Sequence, residues 1–164
     1  MVPDLPFLLS IAALSGSLAG LAGLVGGLRR GEGLQPIDRF RLREIVEFAF
    51  ANTLLALSVL PLTSILGSLE ASIRVVSAAA VVYLLSIALI LFRRLRTAGI
   101  RMTAWIAVAG VLDTLIIIAA GASLLSGAIA ALQVTLLLFL ARPMTAFLFV
   151  LASFDAPDEP GVAG

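Results

Sequence analysis

The interval from Met102 to Ala141 is 40 residues long and holds a single charged side chain, Asp113. Forty residues at about 1.5 Å each make about 60 Å of helix, enough for two crossings of a bilayer and too much for one. Three more apolar runs of spanning length precede it, at about Leu5 to Leu28, Phe48 to Gly67 and Val75 to Phe92. Inside lipid every backbone N–H and C=O must be satisfied within the chain, so such runs are helices. The expectation is an all-α polytopic membrane bundle of five transmembrane helices, at about 5–28, 44–67, 74–92, 102–120 and 123–141. The last turn falls at Gly121 to Ser123. No internal repeat and no soluble domain is visible.

Composition agrees. Hydrophobic residues make up 61% of 164 and charged residues 13%, with a mean hydropathy of +1.16. A soluble domain of this length has no interior large enough to bury so much apolar surface. The chain has no Cys, no His and no Lys, and all eleven basic residues are Arg. These absences argue against disulfides, thiolate or zinc chemistry, and Schiff-base cofactors, so no cofactor and no metal is expected. A net charge of +1 gives no electrostatic footprint for nucleic acid.

The arginines set the threading. Five lie between Arg29 and Arg43 and four between Arg93 and Arg101, whereas the connection between the second and third crossings has only Arg74. The positive-inside rule then puts the N-terminus outside and the C-terminus in the cytoplasm. The first run lacks the basic start of a signal peptide and carries Arg29 and Arg30 after it, so it is read as a retained helix. Arg29, Arg30, Arg39, Arg43, Arg93, Arg94 and Arg96 are placed for contact with anionic lipid headgroups. The composition points to a bacterial plasma membrane. An acidic tail, 155–164, with Asp155, Asp158 and Glu159, ends the chain.

In PIDRFRLREIVE, residues 36–47, Asp38 reads as an N-cap of a helix running into the second crossing. Glu44 and Glu47 stand on one face, and Arg41 and Arg43 stand at helical pairing distance from them, so a solvated or headgroup-contacting face is expected. In the first helix, Gly16 and Gly20 stand four apart, as do Gly23 and Gly27. Helices in lipid associate by close approach across small residues, and this face is assigned first to packing within the chain and second to a homodimer or partner membrane protein. Pro61 and Pro143 should each kink a helix. After Pro143, residues 144–154 are too short to span and read as an interfacial segment. The alternative is a longer, bent fifth helix that draws Arg142 inside.

An ionised side chain in mid-membrane needs a partner, a proton or a task. Counted from helix ends, Asn52, Tyr83, Asp113 and Gln133 fall at similar depth, which predicts a midplane polar layer. Arg74 is the counter-ion proposed for Asp113. The first functional expectation is structural: hydrogen-bonding glue in a protein that assembles with itself or a partner. The second is a transporter or channel subunit, with Asp113 binding a proton or small cation beside Asn52, Gln133 and Tyr83. An intramembrane enzyme is disfavoured, because no nucleophile with a base and no second deep carboxylate is evident.

Overall fold

The computed structural model describes residues 4–28, 36–98 and 104–152. These form five helices: α1 (Leu5–Leu28), α2 (Pro36–Leu66), α3 (Leu69–Ala98), α4 (Ala104–Ser126) and α5 (Ile129–Ala152). Each contains a stretch long and apolar enough to cross a membrane, and among the described residues there is no strand. The acidic tail, Arg29 and Arg30 lie outside the described residues, as do the side chains of Arg93, Arg94 and Arg96.

Local sequence explains where the helices end. Pro36 opens α2, two residues ahead of Asp38, in the first turn where a missing N–H costs nothing. Gly67 closes α2 at φ +64°, a left-handed conformation that glycine adopts without penalty. Ser68 then caps α3, its hydroxyl accepting the Ala71 N–H at 3.3 Å. The α4–α5 turn uses the same device at Gly127, φ +65°. This corrects the expected turn at Gly121 to Ser123, which lies within α4. The position follows from α5, which continues through Pro143 to Ala152, so residues 144–152 belong to a membrane-length helix rather than to a separate interfacial segment.

The central helices are α2 and α5. Helix α2 packs against α1, α3 and α5, and α5 packs against all four others. One apolar cluster, including Leu8, Ile11, Val59, Ile73, Leu132 and Leu136, fills the end near the two glycine turns. A second, of Phe48, Ala80, Leu84, Ile116, Ala120 and Phe139, lies midway, and a third, of Ala22, Leu42, Ile45, Ala146 and Val150, lies toward the arginine-rich end. The outer surface is apolar too: Leu24, Val82, Ile118, Leu125 and Leu148 are all at least 60% exposed. Hydrocarbon is the solvent in which such a surface carries no penalty.

Helix α1 meets the bundle through Leu8, Ile11, Ala12, Ser15, Ala19 and Ala22. The four spaced glycines do not take part. Gly16, Gly20, Gly23 and Gly27 are exposed, and a Cβ added at any of them meets nothing within 4 Å. The expected packing of these glycines within the chain is therefore replaced by a seam one residue to the side, where Ser15, Ala19 and Ala22 give α2 its close approach.

Candidate functional site

The helix starting at Pro36 and the helix continuing past Pro143 together shift two charged residues inward. Glu44 stands eight residues in from Pro36, Asp113 nine in from Ala104 and Arg142 ten in from Ala152. At the helical rise these depths are about 12 to 15 Å from one end of the bundle. There the three side chains meet. Arg142, 1% exposed, donates from Nε to Asp113 Oδ1 at 3.1 Å and from a terminal nitrogen to Glu44 Oε1. Its guanidinium also lies 5.1 Å from the Phe48 ring centroid, a cation–π contact.

Arg142 is thus the counter-ion of Asp113, and the assignment of Arg74 is corrected. Arg74 forms an exposed i, i+4 pair with Glu70 at 2.6 Å, at the opposite end of α3 from the arginine-rich connection. The nearest carboxylate on its own helix, one turn away, holds it. The reading of Glu44 as part of a solvated face is corrected as well. Arg43 and Glu47 do form an expected exterior pair, at 2.6 Å. Glu44 points inward in register with Phe48, Asn52, Ala56 and Val59, all buried. That i, i+4 stripe was the available signal, and local charge pairing obscured it.

Charge does not balance within the triad. With ordinary ionisation, two carboxylates against one guanidinium leave a net −1. Glu44 Oε2 is buried with no hydrogen bond. Beside it a cavity of about 160 Å³ is lined by Phe40, Arg43, Glu44, Glu47, Phe48, Ile87 and Ile90, between α2 and α3. Burying charge without a full complement of partners is costly.

The expected single layer of Asn52, Tyr83, Asp113 and Gln133 separates into tiers. Tyr83 remains near the triad: its ring centroid lies 5.9 Å from that of Phe48 and 6.1 Å from that of Phe139, and its hydroxyl donates to the Glu47 carbonyl at 3.3 Å. Asn52 belongs to a second tier, donating from Nδ2 to Ser15 Oγ at 3.0 Å and to the Leu136 carbonyl at 3.2 Å, which ties α1, α2 and α5 together. A third tier joins α3 and α4, where Ser77 donates to Ser123 at 2.8 Å. Gln133, half-buried, is nine residues along α5 from Arg142, about 13 Å away along the axis, too far to share the triad's level. Depths counted from Ala141 placed it near Asp113, and the longer α5 removes that coincidence.

Among the described residues, no three acidic side chains group as a metal site. No family model matches the chain, and no curated protein or solved structure matches it.

Proposed function

We propose that this chain is a small multi-pass membrane protein that binds a proton or a small cation at the Glu44–Arg142–Asp113 triad, as the coupling site of a transport protein. The observation that carries the reading is the surplus carboxylate, with Glu44 Oε2 buried, unpartnered and beside a cavity. Intramembrane charges are expensive and are retained mainly where they do work. Among the described residues, the other charged or titratable groups near this region include Arg41, Arg43 and Glu47 on α2 and Tyr83 on α3. Arg43 and Glu47 pair with each other, and Arg41 stacks 5.8 Å from the Phe149 ring centroid.

The threading proposed with this function has the N-terminus outside and the triad nearer the cytoplasmic face of a bacterial plasma membrane, following the arginine-rich connections. Asn52 and the Ser77–Ser123 pair favour a second reading, a structural or assembly role, because their bonds join helices.

Thermal unfolding of the purified protein between pH 5 and 9 tests the two readings. Added protons or a bound cation cancel the surplus charge of the folded triad, so wild-type stability relative to Glu44→Gln should rise as pH falls or as the cation is added. Parallel wild-type and Glu44→Gln curves across pH and cation would reject ion binding and leave the structural role. Reconstituted vesicles supply the second readout: Glu44→Gln and Asp113→Asn should each abolish pH-driven or cation-driven flux.

A further inference from the structure

The cavity beside Glu44 is poorly made for a bare metal cation. Hard cations such as calcium need six to eight oxygen donors. Here the walls contribute the carboxylates of Glu44 and Glu47, and otherwise Phe40, Phe48, Ile87 and Ile90, with Arg43 already paired to Glu47. One or two carboxylates inside an aromatic and aliphatic wall suit a cation whose charge is spread over carbon and weakly hydrated.

The cavity also has a neighbour. Glu47 and Ile87 line a second, open groove of about 740 Å³ between α2 and α3, whose walls are otherwise almost wholly apolar. Val46, Phe50, Leu54 and Ala51 form one side, and Ala79 and Tyr83 the other. Through Glu47 and Ile87, which line both, a carboxylate end, with one buried unpartnered oxygen, stands next to an apolar trough on the outer surface. Charge and shape then specify an occupant with a positive head and an apolar tail.

We propose that the α2–α3 cleft binds a lipophilic ammonium ion, with its head at Glu44 and Glu47 and its tail in the groove below Tyr83. The inference deepens the ion-binding reading and rests on it in taking Glu44 as the group that receives positive charge. The committed source is a free amphiphilic amine that partitions into the bilayer. A phosphoethanolamine headgroup shares the ammonium but adds a phosphate, and Glu44 and Glu47 would oppose that phosphate.

The test uses the full chain in nanodiscs of uncharged, amine-free galactolipid, with empty nanodiscs subtracted, and calorimetric titration of hexyltrimethylammonium. Saturable binding is expected, at least tenfold tighter than for tetramethylammonium, with none for hexanol or hexanesulfonate. Glu44→Gln should weaken it at least tenfold. Ala79→Phe, which fills the groove and leaves the triad untouched, should bring the hexyl compound down to the tetramethylammonium level. Equal binding of hexanol and the ammonium, or binding indifferent to Glu44→Gln and Ala79→Phe, overturns the proposal. Loss of probe binding when phosphatidylethanolamine is added to the disc overturns the free-amine source in favour of a lipid headgroup. Failure here is separable from failure of the ion-binding reading. A wild-type pH or cation response that survives without ammonium binding leaves the latter standing, whereas ammonium binding without a Glu44-dependent pH or cation response removes it.

Discussion

At the scale of single residues, the triad is an unequal arrangement: one guanidinium serves two acids from different helices. Removing the guanidinium leaves two largely buried carboxylates without their counter-ion, so Arg142→Met should destabilise the protein by about 3 to 5 kcal/mol, measured by denaturation in mixed micelles. Replacing all three groups together, as Glu44→Gln, Asp113→Asn and Arg142→Met, should recover much of that loss, because no unpaired charge remains. A triple variant as unstable as Arg142→Met alone would show that packing, rather than charge, dominates at this position. Asp113 was legible from sequence because it stands alone among apolar neighbours. Glu44 was not, and Arg142 only through the alternative of a bent fifth helix, because each sits beside other charges or a proline at the edge of an apolar run, where a surface reading is equally consistent with composition. Both lie on stripes of buried residues at helical spacing, Glu44 with Phe48 and Asn52, Arg142 with Phe139 and Ala146. Only the true helix ends, Pro36 and Ala152, show that those stripes extend to them.

At the scale of elements, the two glycine turns look alike in backbone and differ in surroundings. Gly67→Ala should cost about 1 kcal/mol, the usual penalty for a side chain in the left-handed region, since its new Cβ would meet nothing within 4 Å. Gly127→Ala should cost distinctly more, because the Cβ would come 2.3 Å from Glu70 Cγ. In a Glu70→Ala background the two substitutions should become comparable, which chemical denaturation of the four variants can measure. The existence of five helices was plain from run length, as about 20 apolar residues admit little else in a bilayer. Their ends were less plain. A Gly-Ala-Ser sequence such as 121–123 is acceptable inside a membrane helix, and the deciding quantity is the length of the partner helix, which depends on whether Pro143 stops α5. It does not: Pro143 is buried within α5 and the helix resumes beyond it.

At the scale of the whole molecule, the face of α1 that carries Gly16, Gly20 and Gly23 is left bare by its own bundle. In a monomer surrounded by lipid, Gly→Ala at each should therefore stabilise by about 0.5 to 1 kcal/mol through the lower entropy of the unfolded helix backbone. A loss of stability, together with a smaller particle in size-exclusion chromatography coupled to light scattering, would show that a second chain covers this face. The spacing of these glycines was readable, but not the helix neighbour they face, because rows one residue apart on a helix diverge by about 100°.

One guanidinium on α5 completes contacts with helices made much earlier. During synthesis α2 and α4 leave the ribosome before α5 exists, so Glu44 and Asp113 wait in or beside the membrane without their cation. The nascent bundle consequently has a checkpoint at the synthesis of α5. A chain interrupted before Ile129 should be held loosely and removed by membrane proteases, whereas supplying α5 as a separate peptide should rescue it, and only when that peptide carries Arg142.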